Sequence, residues 1–266
     1  MKWSTGLCLI TLLAAQSAHA QHAVEVISYE AGTNAAPGFT TASAALHSPE
    51  RFTGEGTPHA DDVTVFNSPW MPNEIVSIGE GGHLTLRLSH FAIPDSSGPE
   101  IGVFENVNLF DVNWPSGQAS DPADTFGADD ATVEVSADGI VWESLGLITF
   151  NLPTQGYNDV AGTIPSNFHK PFTGVLSDFS GLPFSDPSNP DILELLAGSG
   201  GGTWLDISST SLAKVGYIRF SVAADAGLNF ELDAVSIATT AKGGRVPEPS
   251  GIVLAAIALA ASIRRR

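Results

Sequence analysis

In His83-Leu84-Thr85-Leu86-Arg87-Leu88 the leucines fall on one side and the polar residues on the other, and the valines of Thr132-Val133-Glu134-Val135-Ser136 do the same. A period of two is the mark of a strand with one buried face. Short runs rich in β-formers recur at 24–29, 62–66, 74–78, 83–88, 100–104, 131–136, 140–145, 204–207, 215–222 and 230–237. Turn-forming clusters separate them, and Ala137-Asp138-Gly139 carries the Asp-Gly pair that favours a tight hairpin. Only Ile192 to Ala197 reads as a helix, with Asp191 as N-cap and Gly198 as its stop. The stretches 106–130 and 151–190 are rich in Gly, Pro, Ser, Asp and Asn and read as long surface loops. The expected fold is all-β: a β-sandwich of jelly-roll type over 21–237, with one short helix.

Charge and cysteine content remove several function classes. The 266 residues carry a net charge of −18 and a single cysteine. Phosphates would be repelled, so no nucleic acid is expected as a partner. One cysteine excludes a disulfide framework, a zinc ribbon and an iron–sulfur site. With 43% hydrophobic and only 15% charged residues the chain is too apolar for an acidic disordered protein.

The ends read as addresses. Lys2, the apolar run Leu7 to Ala15 and the small-residue site Ala18-His19-Ala20 before Gln21 have the order of a secretory signal peptide, residues 1–20. Cleavage after Ala20 removes Cys8, leaving a cysteine-free product. At the other end, after an expected linker over 238–245, Pro247-Glu248-Pro249 precedes an apolar run from Gly251 to Ile263 and then Arg264-Arg265-Arg266. Thirteen residues make about 20 Å of helix, short of a ~30 Å hydrocarbon core. The arginines would stay cytoplasmic. The chain is thus expected to have a signal helix and a hydrophobic C-terminal helix flanking the sandwich.

Residues 246–266, with motif, apolar helix and basic terminus in that order, resemble the PEP-CTERM sorting signal of Gram-negative bacteria. The resemblance implies transient inner-membrane anchoring, processing by an exosortase near the motif, and a final place in the periplasm, on the outer surface or in the extracellular matrix. Between the two addresses, residues 21–245 hold seven Lys/Arg against 28 Asp/Glu, a net of −21.

Catalytic signatures are few. The histidines at 22, 47, 59, 83, 90 and 169 show no metal-ligand spacing, and there is no G-x-S-x-G elbow. A glycan-active hydrolase would need two carboxylates about 5–9.5 Å apart, for which Glu100, Glu105, Glu134 and Glu143 lie on or beside strands. Sugar binding needs exposed aromatic faces. Trp70 and Trp114 lie in proline-flanked loops, and Tyr157 follows a glycine, so these three are the candidate ligand-binding residues. Trp142 and Trp204 follow strand alternation and are expected in the core. Acidic loops containing Asp111, Asp121, Asp124, Asp129 and Asp130 offer the oxygen donors that calcium takes.

The body also resembles secreted bacterial jelly-roll domains of the galactose-binding and discoidin-like kind. The similarity rests on the glycine turn Ile78 to Leu86, the strand ending in Phe104-Glu105-Asn106, the hairpin Val133 to Trp142 and the closing Phe230-Glu231-Leu232-Asp233-Ala234-Val235. It implies a carbohydrate-binding or adhesive accessory. It also implies one structural calcium between a loop and the closing strand, held by Glu105 and Asp233 with Asp129 or Asp130. Together these observations describe an exported, non-catalytic envelope or matrix protein that binds an exopolysaccharide or surface glycan through its loops. The alternatives are a glycan-active hydrolase and a purely structural surface component.

Overall fold

The computed structural model describes residues 21–95 and 98–248. Ala18, Ala20, Pro249 and Arg264 to Arg266, with both hydrophobic end segments, lie outside the described residues. Among the described residues fourteen strands form: β1 (Ala23–Glu30), β2 (Phe52–Thr53), β3 (Asp61–Asp62), β4 (Val76–Ile78), β5 (His83–Ala92), β6 (Ile101–Glu105), β7 (Asn108–Leu109), β8 (Thr125–Phe126), β9 (Asp129–Ser136), β10 (Glu143–Phe150), β11 (Thr203–Leu205), β12 (Val215–Ser221), β13 (Phe230–Ile237) and β14 (Lys242–Arg245). The helix α1 spans Ile192–Leu196.

The strands make two main antiparallel sheets. One has the order β1-β5-β12-β9-β10, with β14 also on β5; the other has the order β11-β6-β13-β4. Alternation explains how they pack. Leu84, Leu86 and Leu88 of β5, Val133 and Val135 of β9, and Phe220 of β12 meet Ile101 and Val103 of β6 and Leu232, Val235 and Ile237 of β13 in one core. Phe150 of β10 and Phe220 lie 4.9 and 5.3 Å from Phe230 of β13 between ring centroids, joining the sheets at one end. Each such ring contributes about 1.5–3 kcal/mol by its burial. All five residues of β6 are buried, so a further layer covers its outer face.

That layer comes from the stretches expected to be surface loops. Val65, Leu109, Ala119, Phe172, Phe179, Ile192 and Leu196 form a second buried cluster, and Trp204 of β11 packs against it. Apolar residues spaced irregularly among Gly, Pro and Asp give no periodic signal, which is why this cluster is not visible in the sequence. The helix begins as expected, with the Asp191 side chain accepting from Glu194 N, and it ends at Ala197 in the left-handed region just before Gly198.

Three expected boundaries are corrected. Of 62–66 only Asp62 is in a strand, because Val63 to Phe66 turn back through paired Thr64 and Asn67 backbone bonds. The run expected at 140–145 begins at Glu143, since Asp138 Oδ1 accepts from Ile140 N and Val141 N and holds a longer connection open. Only Gly139 of the Asp-Gly pair has positive φ, so the tight hairpin turn does not form. Residues 238–245 are not a linker: Thr239–Ala241 make a 3₁₀ turn, and β14 pairs with β5 through Lys242↔Ala92 and Arg245↔His90. Val246 is buried in the main core.

Candidate functional site

The candidate ligand-binding residues are held in three different settings. Trp70 is half-buried; its N–H donates to Thr53 Oγ1 and Glu74 Oε2, and its ring lies against Gly54. Tyr157 is half-buried beside the Arg51 guanidinium, and its carbonyl accepts from Gln155 Nε2 at 2.6 Å. Both rings are thus partly covered. Trp114 differs: it is 84% exposed.

Trp114 stands at the tip of a ribbon that begins with β7 and returns in β8. The register pairs Asn108 with Phe126 and Leu109 with Thr125. Beyond it, Phe110 N donates to Asp124 O and Val112 N to Gln118 O, which carries the ribbon outward. Asp111 Oδ1 accepts from Asn113 N at 2.8 Å and Gln118 N at 3.0 Å and closes the tip. Burial then sorts the side chains. Leu109 is 1% exposed in the second core, whereas Phe110, Val112 and Phe126 are 45%, 62% and 62% exposed. Four large apolar side chains on one short ribbon thus face solvent. Phe110, Val112 and Phe126 were missed as candidates because their inward or outward orientation depends on the β7/β8 register, which two-residue strands do not announce.

The four residues proposed for calcium do not form one set. Glu105 and Asp233 are close in register, because Leu232 pairs with Glu105. Their surroundings nevertheless differ: Glu105 follows the inward series Ile101 and Val103, while Asp233 sits within the irregularity of the ladder between Leu232 and Ala234. Glu105 is 2% exposed, and neither carboxyl oxygen has a hydrogen-bond partner among the described residues. Burial above all, then the charges of Asp129, Glu231 and Asp130, hold its pKa well above the ordinary carboxylate value. Asp129 is pushed up to about 7 by burial and by Glu231 and Asp130.

Asp233 belongs to a second acidic group that the sequence did not reveal. Its Oδ2 accepts from Glu50 N at 3.1 Å, and burial raises its pKa well above normal, with Glu50 and Glu74 adding to the effect. Glu50 is itself pushed up to about 7, chiefly by burial and then by Glu74 and Glu55. Glu74 Oε2 gathers Thr53 Oγ1 and the N–H groups of Trp70 and Met71. Among the described residues no three acidic or histidine side chains converge as metal ligands. Glu105 stands with Asp129, Asp130 and Glu231, whereas Asp233 stands with Glu50 and Glu74.

Of the four carboxylates considered for hydrolysis, the three besides Glu105 are engaged separately. Glu100 accepts from Asp95 N and Ile207 N, Glu134 pairs with Arg219 at 2.8 Å, and Glu143 accepts from Ser211. Trp142 and Trp204 are half-buried and pack against the main core and the second cluster respectively: the Arg219 guanidinium lies 4.2 Å over the Trp142 ring, and Trp204 Nε1 donates to Gly201 O. No helix among the described residues is long and apolar enough to cross a membrane. Compared with protein-family models and with curated proteins, the chain matches none.

Proposed function

We propose that this chain is an exported, non-catalytic β-sandwich of jelly-roll type that binds polysaccharide of the envelope or extracellular matrix. In this reading the N-terminal segment directs export. The C-terminal segment holds the protein in the inner membrane until an exosortase processes it near Pro247-Glu248-Pro249. The observation that carries the binding role is the exposure of Phe110, Val112, Trp114 and Phe126 on one ribbon whose Leu109 is buried in the second cluster. Flat apolar side chains stack on the apolar faces of sugar rings, and a firmly held platform keeps the entropy cost of binding low.

The ligand is a neutral or amino-sugar polymer rather than a uronic-acid one. No Lys or Arg occurs from Leu88 to His169, while Asp111, Asp121 and Asp124 belong to the ribbon segment. An acidic chain brought there would meet the like charge of these carboxylates.

A polysaccharide-binding screen of the exported protein tests the reading. Retention by a neutral or amino-sugar polymer, lost in Trp114→Ala with an unchanged melting temperature, supports it. Absence of retention by every polymer favours the structural-component alternative, and release of reducing ends from any polymer favours the hydrolase.

A further inference from the structure

Gln21 opens the described chain, and its backbone and side chain both bond to one residue. Its carbonyl accepts from Ile237 N at 2.8 Å, and its Nε2 donates to Ile237 O at 3.2 Å. The next residue, His22, is bridged to Ser236 in the antiparallel sense. In that register residue 21 stands opposite residue 237, and a hydrogen-bonded antiparallel pair exchanges both backbone bonds. Ile237 O is therefore the acceptor that faces the backbone nitrogen of Gln21. The side-chain amide has reached the same oxygen, so it is folded back toward its own nitrogen rather than out into solvent.

The surroundings hold this residue in place. Ser89 N donates to His22 O at 2.9 Å, and Ser89 O accepts from Val246 N at 3.2 Å, so the chain is in the sheet from its first described residues and its other end is tied at the same point. His169 Nδ1 lies 3.1 Å from Ile237 O and shares that carbonyl with the Gln21 amide. The charged groups that act on buried His22 are His169, Arg51 and His47, all of them basic. A terminal ammonium at half-buried Gln21 would add one more cation beside them, which favours the neutral amine there.

We propose that Gln21, once freed by cleavage after Ala20, is a modification site that closes on itself to an N-terminal lactam (pyroglutamate), with the fold holding its amide ready. This rests on the reading of residues 1–20 as a signal peptide. The neutral α-amine attacks the side-chain Cδ. The N–Cδ bond forms, the Cδ–Nε2 bond breaks, one amine proton passes to the departing nitrogen, and ammonia leaves. No oxidant or other reactant is consumed. The ring consists of N, Cα, Cβ, Cγ and Cδ, so the carbonyl of residue 21 is untouched and keeps its bond from Ile237 N. The ring N–H takes over Ile237 O from the lost Nε2. Strand β1 is then preceded by a neutral, closed end with no amine for an aminopeptidase to grip. An amide held beside the attacking nitrogen has already lost the freedom that such a closure costs.

The test uses the full chain exported by a Gram-negative host, followed from a pulse of synthesis by peptide mass spectrometry and stepwise amino-terminal degradation. The N-terminal peptide should start at residue 21, be lighter by one ammonia than its sequence requires, and resist degradation. Closure should be about threefold or more faster than in a synthetic peptide of residues 21–30 at the same pH. Gln21→Asn, whose amide is one carbon too close for this ring, should be cleaved at the same bond and keep a free amine. A chain that starts at residue 21 and keeps its amine, or closes no faster than the synthetic peptide, overturns the proposal alone. A chain that starts at any other residue removes the cleavage reading and the proposal together.

Discussion

Val246 N donates to the Ser89 carbonyl at 3.2 Å, so the residue directly before Pro247-Glu248-Pro249 is part of the sheet. Its side chain is buried with the main core. Val246→Asp would place a charge there without a partner and is expected to cost about 2–5 kcal/mol, against about 1–2 kcal/mol for Val246→Ala. Urea denaturation of the exported protein measures both. Equal, negligible losses would show that β14 and Val246 are not docked in solution.

Trp114 and Leu109 lie on one ribbon and face opposite ways. Trp114→Ala should change stability by less than about 0.5 kcal/mol, while Leu109→Ala should cost about 2–4 kcal/mol. The same denaturation series decides it; a costly Trp114→Ala would mean that the indole is packed.

Glu105 predicts a pH effect that its own substitution should remove. Its pKa is raised in the folded state, so the favourable, protonated form is complete below the unfolded value near 4.5 and is lost as pH rises. Glu105→Gln should therefore match the parent near pH 4 and become the more stable protein by about 1–3 kcal/mol toward pH 8. A constant difference across that range would contradict the buried, unpartnered carboxyl.

His22 acts in the opposite direction. Burial, then the neighbouring His169 whose ring centroid is 4.7 Å away, pushes its pKa down to about 3. A base with a lowered pKa gives stability that is present above its unfolded value of 6.5 and is lost as pH falls toward 3. His22→Asn, which keeps a partner for Ser236 Oγ, should flatten the melting-temperature profile between pH 6.5 and 4. An unchanged slope in that window would assign acid sensitivity to other groups.

The alternating leucines and valines led directly to β5 and β9, and the apolar runs of β6, β12 and β13 followed from the same rule. What stayed hidden depended on contacts between distant segments. Val65, Leu109, Phe179 and Ile192 belong to one cluster but share no period, so loops that read as solvated turned out to bury a core. Lys242-Gly243-Gly244-Arg245 has the composition of a linker and is a strand only because β5 offers it an edge beyond β1. Among the candidate residues, the exposure of Trp114 was legible from its Pro-flanked setting. The split of Glu105 from Asp233 was not, because Asp233 sits within the irregularity of the ladder beside Leu232. Glu50 and Glu74 gave no signal at all, being brought to Asp233 by a long loop.

The meeting of His22 and Val246 at Ser89 makes the body almost a closed ring of chain. A few residues could join β14 to β1, and new ends could be opened at the exposed Val160-Ala161 with the same sheets intact. Such a body is also suited to transplantation: inserted at a single surface turn of a host protein, it would need its two junctions only a few ångströms apart. Its folding would then depend little on what lies on either side of it.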